Sequence, residues 1–378
     1  MRTVQTLWQG DAGWSPFDEA DQAARSQCVL VFGSLARNEI EPALASLQTL
    51  FPEAFFLGCS TAGEIQGTRI LDNRLVATAI QCTATRVQTA TARLAECGDA
   101  RGCGLRLAEQ LSSNGLVHVF VLSDGLHVNG SELVEGLAAG LPEGVQFTGG
   151  LAGDGDRFQS TWVLGDRGLE SDAVVAVGFY GQRLRVGFGS LGGWDPFGPE
   201  RLITASRDNV LFELDGKSAL GLYKDYLGKH AAGLPASGLL FPLSLRREGG
   251  ETSVVRTFSA VNEADQSLTF AGNIPQGYYA QLMKANFDRL VEGAVGAARI
   301  CQNTGAKHPE LAICISCVGR RMILKQMAEE EVEGVRDVLG PAVTLAGFYS
   351  YGEIAPFSSG GKCELHNQTM TITTLCEC

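Results

Sequence analysis

Apolar positions along the chain fall into short continuous runs, separated by stretches in which they recur every three or four residues. Cys28 to Phe32 reads Cys-Val-Leu-Val-Phe and ends in Gly33-Ser34, the pattern of a strand buried on both faces. From about Ile40 to Phe51, Leu44, Leu47, Leu50 and Phe51 share one face. This predicts a helix, which Pro52 helps to end. A second strand, Ala54 to Gly58, runs into Cys59-Ser60-Thr61-Ala62-Gly63-Glu64-Ile65, and Arg74 to Gln81 predicts a third.

The last sixty residues repeat this plan. Leu311 to Val318 is a strand ending in Gly319, and a helix from about Met327 to Leu339 stops at Gly340-Pro341. A strand, Ala342 to Gly347, then enters Phe348-Tyr349-Ser350-Tyr351-Gly352-Glu353-Ile354, and a final strand spans about Cys363 to Leu375. A looser copy occupies the middle. Val117 to Leu122 ends in Ser123-Asp124-Gly125. Asn129-Gly130-Ser131-Glu132 opens a helix, and a strand enters Gly149-Gly150-Leu151-Ala152-Gly153-Asp154-Gly155. Ala173 to Gly178 follows. One unit of strand, helix, strand, glycine turn and strand therefore recurs about three times. The helical connections predict parallel neighbours with right-handed crossovers, and the helix-free strands predict mixed sheets. The expected fold class is α/β with mixed sheets and duplicated units. Residues 184–193, 201–214 and 251–270 are β-rich, interrupted by a helix at Ser218 to Leu227. A boundary near residue 216 divides the chain into domains 28–216 and 217–376.

Composition narrows the function. Of 378 residues 45% are apolar, enough for a core, and the net charge is −12 with no basic run. Nucleic acid is therefore an unsuitable partner. No 18-residue apolar stretch predicts a membrane span. The N-terminus lacks a signal peptide's apolar segment, and the 11 cysteines follow no framework spacing. The expectation is a cytoplasmic protein with reduced thiols.

The duplicated turns offer the first candidate chemistry. A glycine after a buried strand frees the backbone to turn, and the neighbouring Glu64 or Glu353 could present a carboxylate at the strand end, the usual ligand crevice of α/β sheets. Backbone capping by these carboxylates is the alternative. Gly149, Gly150 and Asp154 belong to a glycine cluster that could cradle an anion. It matches neither a phosphate-binding loop nor a dinucleotide fingerprint. Convergence of the turns about a pseudo-symmetry axis would place Glu64 and Glu353 in equivalent positions and bring at least one turn to the main pocket.

Among the histidines, His127 follows a strand end just before a helix, a suitable address for an axial metal ligand or hydrogen-bond donor. His366 lies in the last strand, where a structural role competes with ligation. Cys363-x-x-His366 with Cys376-x-Cys378 would suit zinc or an iron–sulfur cluster. Positions 363 and 366, however, face opposite sides of a continuous strand. No G-x-S-x-G or H-E-x-x-H motif occurs. Cys59 is the remaining nucleophile candidate, for a thiol-dependent enzyme. The chain is expected not to be an enzyme.

Taken together, these stretches carry a family resemblance. Gly58 to Ile65, Ser123-Asp124-Gly125 with Asn129-Gly130, Gly149 to Asp154, Ala219-Leu220-Gly221-Leu222-Tyr223-Lys224, Cys317-Val318-Gly319-Arg320, Gly347 to Ile354 and His366-Asn367-Gln368-Thr369-Met370-Thr371 resemble a FIST-domain protein, in family order and over nearly the whole chain. The resemblance implies a sensory module that binds a small ligand. Similar bacterial proteins bind haem, respond to nitric oxide and regulate a partner histidine kinase or cyclic-di-GMP enzyme. It leaves open an amino-acid sensor without haem, for which Glu64, Glu353, Asp154 and Arg320 would supply paired charges. The family motif fixes no haem ligand; His127 is the first choice and His366 the second. The candidate ligand-binding set is Glu64, Gly149, Gly150, Asp154, Arg320, Tyr349 and Glu353.

Overall fold

The computed structural model describes residues 1–17, 25–234, 236–250, 253–356 and 361–378. The first unit comprises β1 (Arg2–Leu7), β2 (Cys28–Gly33), α1 (Arg37–Leu50), β3 (Phe55–Ser60), β4 (Glu64–Gln66), β5 (Arg69–Leu71) and β6 (Leu75–Gln81). The second comprises β7 (Arg86–Arg93), α2 (Ala100–Gln110), β8 (Leu116–Ser123), α3 (Gly130–Gly140), β9 (Gln146–Leu151), β10 (Val163–Gly165), β11 (Gly168–Glu170) and β12 (Ala173–Tyr180).

The third unit begins with β13 (Leu184–Leu191) and is then interrupted. The insertion holds β14 (Trp194–Arg207), β15 (Val210–Leu214), β16 (Lys217–Ser218), α4 (Ala219–Leu227), β17 (Leu243–Arg246), β18 (Ser253–Arg256), β19 (Phe258–Asn262), β20 (Ser267–Phe270) and β21 (Tyr279–Ala285). The unit resumes with α5 (Phe287–Thr304), β22 (Leu311–Cys317), α6 (Val318–Leu324), α7 (Ala328–Leu339), β23 (Thr344–Ser350), β24 (Gly352–Pro356), β25 (Cys363–His366) and β26 (Met370–Glu377). Residue 216 is the turn glycine between β15 and β16, inside the inserted sheet.

Sheet order makes the threefold repetition explicit. The three core sheets run β1-β6-β2-β3-β10-β11, β7-β12-β8-β9-β24-β25 and β13-β26-β22-β23-β4-β5. Each has a central parallel pair, β2/β3, β8/β9 and β22/β23, joined by a helix, as the sequence predicts. Each unit also sends the hairpin after its glycine turn into another unit's sheet. The first extends the third, the second extends the first, and the third extends the second. The exchange closes on itself and ties the units into one body.

Side-chain alternation then sorts residues between two layers. Leu30 and Phe32, Phe120 and Leu122, and Ile313 and Ile315 occupy matching positions and meet in a shared central core. Their alternates, Val29 and Val31, Val119 and Val121, and Ala312 and Cys314, pack under the helices outside. Burial on both faces is why these strands read as unbroken apolar runs.

Gly58, Gly149 and Gly347 sit at one equivalent point, where a Cβ would overlap the carbonyl oxygen of Val31, Val121 and Cys314 respectively. Alanine at any of the three is expected to lower stability by about 1–3 kcal/mol, read as a lower midpoint in urea unfolding. An unchanged midpoint at any one would contradict the equivalence.

Candidate functional site

The three strand-end turns converge. Ala62 N donates to Tyr349 O at 2.8 Å, Gly153 N to Ser60 O at 2.9 Å and Tyr351 N to Leu151 O at 3.2 Å, a closed cycle with one hydrogen bond per pair of units. Glu64 and Glu353 follow their turns at the same remove from Gly58 and Gly347, and each opens an exchanged hairpin. The expected equivalence of these two positions therefore holds. In the second unit Gly155 stands there, so Gly153 corresponds to Ala62 and Tyr351, one residue earlier than the glycine count suggested.

Two openings lie around this centre. The larger, about 1030 Å³, sits at the ends of β2 and β3 and reaches Ser34, Ser60, Thr61, Gly153, Asp154 and Arg74. Two of the three turns thus line the larger opening. The smaller, about 340 Å³, lies between the β8–α3 loop, the start of α6 and the inserted sheet. Its walls include Phe158, Tyr351, Phe258 and Phe270, with His127 and Asn129 among the polar groups. Phe158 and Tyr351 stack with ring centroids 4.4 Å apart.

His127 reaches this smaller cavity because Asp124 shapes the loop that carries it. Buried Asp124 accepts from the backbone N–H groups of Leu126 and His127 at 2.8 Å each and from Thr161 Oγ1 at 2.9 Å. The His127 ring, 55% exposed, places Nδ1 2.8 Å from Asp172 and 3.3 Å from Asp124. Both carboxylates lie on the Nδ1 side, so Nε2 is the ring nitrogen turned away from them. The Asp124, His127 and Asp172 ligand atoms lie within 4.8 Å of one another. The capping duties of Asp124 explain that closeness without an ion.

The remaining predicted residues go elsewhere. His366 is buried in β25 with Nε2 3.0 Å from Ala355 O, and desolvation lowers its pKa to about 4. It lines neither opening. Gly149 and Gly150 lie within β9, paired with Ile354 and Glu353 of β24, so their backbone serves the ladder and forms no anion cradle. Asp154 does face the larger cleft. Its carboxylate accepts from the N–H groups of Phe158, Gln159 and Ser160 and from the Tyr351 hydroxyl.

Arg320 and Tyr349 are sealed inside, where Glu331 of α7 holds both. Arg320 Nη2 is 2.7 Å and Nε 3.1 Å from Glu331 Oε2, while Tyr349 Oη and Ser316 Oγ donate to Oε1 at 2.7 and 2.9 Å. The sequence reading missed Glu331, which lies in an acidic run resembling an exposed face. Its spacing with Ala328, Val332 and Val335 put it on the buried side.

Glu64 and Glu353 are fully buried too. Glu64 Oε1 accepts from Ser34 and Thr61 at 2.6 Å each. Glu353 accepts from Ser350 Oγ at 2.6 Å and from Thr369 N and Oγ1 at 3.1 and 2.9 Å. Desolvation nonetheless raises the two carboxyls to about 7 and about 8. The paired-charge set expected for an amino acid is therefore an internal network, from which only Asp154 meets an opening.

Among the described residues the cysteines are not gathered into a metal-ligand cluster. Cys363 Sγ points to Gln146 and Phe147 O, and Cys376 Sγ lies 3.6 Å from Cys378 Sγ. Cys59 is fully buried, and desolvation holds its thiol far above the usual range, the opposite of an activated nucleophile. Among the described residues no helix is long and apolar enough to cross a membrane.

Comparison with known proteins places the chain in a family. A search of the curated proteins finds no match. Among solved structures the chain aligns with a cyanuric acid hydrolase from A. caulinodans. The alignment covers 100% of this chain and 99% of that one, with a TM-score of 0.37 and 8% identity, and it carries no inference about chemistry. The model of the FIST N domain matches residues 27–217 and that of the FIST C domain residues 219–356. These two matches span most of the sequence, and the chain belongs to the FIST family.

Proposed function

We propose that this protein is a sensor without chemistry of its own, and that its ligand occupies the cavity beside His127. FIST domains are associated with small-ligand sensing in signal transduction. One observation carries the choice of site. The 340 Å³ cavity is walled by both the repeated core and the inserted sheet. A ligand there changes the contact between two parts of the fold, as a sensor requires. The volume lies within the usual ligand range of about 300–1000 Å³.

Haem with nitric oxide is the specific ligand pair proposed. The donor set fits: His127 offers Nε2, its Nδ1 is held by Asp172 and Asp124, and aromatic rings supply apolar walls. Bound haem would supply an iron that takes nitric oxide, and His127 would hold it through Nε2. The output would pass to a signalling partner such as a histidine kinase or a cyclic-di-GMP enzyme.

The test is haem titration of the purified protein. Wild type is expected to show a Soret band at one equivalent, shifted by nitric oxide, and His127→Ala to lose it. Without a Soret band the haem reading fails. The cavity reading stands apart from it. A thermal-shift screen of small molecules, amino acids included, should give a ligand whose effect Phe158→Ala removes. If every stabilising ligand is indifferent to both His127→Ala and Phe158→Ala, the cavity is not the sensory site.

A further inference from the structure

The larger cleft has a chemistry that the sensory cavity lacks. Arg37, Arg74 and Arg157 line it against two acidic residues, Glu39 and Asp154, on a chain whose net charge is −12. Neither acid is spare. Glu39 caps the start of α1 by accepting from Ala36 N at 3.3 Å. Asp154 is committed to three backbone N–H groups and a tyrosine hydroxyl.

The arginines are less engaged. Arg37 pairs with Glu41 outside the cleft at 3.2 Å. Arg157 Nε stands 3.8 Å from Asp154 with its side chain 52% exposed. Arg74 is exposed, and its one side-chain hydrogen bond among the described residues goes to the adjacent Asn73 carbonyl at 3.2 Å. The pseudo-symmetry underlines this position. Ser34 N donates to Arg74 O as Cys317 N does to Thr369 O and Asp124 N to Ala173 O. Where the other units have threonine and alanine, the first has a guanidinium facing an open cleft.

Apolar surface lies beside the charge. Trp8 and Trp162 line the same cleft, half-buried. Neither indole N–H has an acceptor among the described residues, whereas Trp14 and Trp194 donate to the carbonyls of Ala43 and Gln368. Arginine beside a half-buried tryptophan can recognise a planar ring carrying a phosphate or carboxylate, through charge-assisted hydrogen bonds on one side and ring contact on the other.

We infer that this cleft is a second ligand site, for a small organic anion built on a planar ring, held by Arg74 and Arg157 against Trp8 and Trp162. It is separate from the His127 cavity and does not depend on haem.

Tryptophan fluorescence reads it directly. Wild type is titrated with adenosine 5′-monophosphate and with benzoate, which separate phosphate from carboxylate, and with adenosine as the uncharged control. Saturable quenching by at least one anion is expected, with adenosine far weaker. Arg74→Gln should weaken binding about tenfold, the worth of a charge-assisted hydrogen bond, and Arg74→Gln/Arg157→Gln further. Both changes are at exposed positions, so the thermal midpoint should be preserved. Trp162→Phe should remove much of the signal, and His127→Ala should leave it unchanged. No saturable binding of either anion at millimolar concentration overturns the inference. So does affinity unchanged in the double variant, or adenosine binding as well as its monophosphate.

Discussion

Arg320→Ala is expected to destabilise the protein by about 3–5 kcal/mol, a large share of the roughly 5–15 kcal/mol that holds a folded domain together. Arg320 and Glu331 are both completely buried, with Nη2 to Oε2 at 2.7 Å. Arg320 also donates to Gly192 O at 2.6 Å and Leu290 O at 2.7 Å, linking the end of β13 and α5 to α6 and α7. Alanine leaves the fully buried Glu331 carboxylate without its cation, still facing Tyr349 and Ser316. The cost is that uncompensated charge more than the lost attraction. Arg320→Met/Glu331→Leu, which removes both charges, should therefore recover much of the loss. Guanidinium unfolding of the three proteins checks this. An Arg320→Ala midpoint equal to wild type would remove the pair's structural role.

The second large effect is a dependence on pH set by Glu64 and Glu353. Burial is the first cause in both, raising them to about 7 and about 8 from 4.5. For Glu64, hydrogen bonds from Ser34 and Thr61 and the charge of Arg321 oppose the rise, and Asp72 adds to it. Its Oε2 has no hydrogen-bond partner among the described residues. For Glu353, Ser350, Thr369 and the Arg320 charge oppose the rise without cancelling it.

The unfolded chain releases these protons near 4.5, while the folded chain keeps them. Their stabilisation is thus fully present below that value and is lost as pH rises through 7 and 8. One pH unit of displacement is worth about 1.4 kcal/mol, so each group withdraws a few kcal/mol over this window. The contribution of these two carboxyls to the unfolding free energy should fall from about pH 5 to 8, against a rise below about 6.5 from buried His366, whose pKa is lowered to about 4. Glu64→Gln/Glu353→Gln, which cannot ionise, should flatten the slope, and an equally steep decline in that variant would exclude these carboxyls as its source. Glu377 acts in a separate window. Hydrogen bonds from Thr83, Thr85 and Ala84 overcome desolvation and depress its pKa. Its contribution is present above the unfolded pKa and is lost only as pH falls well into the acid range.

Much of the fold was legible because the chain repeats itself. Runs such as Cys28 to Phe32 and Leu311 to Ile315 are apolar at every position, since one face meets the central core and the other a helix. The turn chemistry recurs with them. Asn129, for example, accepts from Ser131 N and Glu132 N to cap α3 where the Asn-Gly-Ser-Glu stretch predicts a helix start. Less visible were α2 and α5, whose alanine and glycine faces pack closely but weaken the apolar period. The helix α6 was also missed, placing Gly319 inside a helix rather than at a strand end.

Sequence alone determined the repeated α/β unit, the equivalence of Glu64 and Glu353 and the family, because these follow from local pattern and motif order. Tertiary structure decided which polar residues reach an open cavity. Glu64, Glu353, Arg320 and Tyr349 carry suitable chemistry, yet packing seals them against Ser34, Thr369 and Glu331. Arg74 and Trp162 hold no motif, yet the hairpin exchanged between units brings them to one cleft. Exposure at a strand end depends on what another unit lays across it, and that contact is far away in the chain.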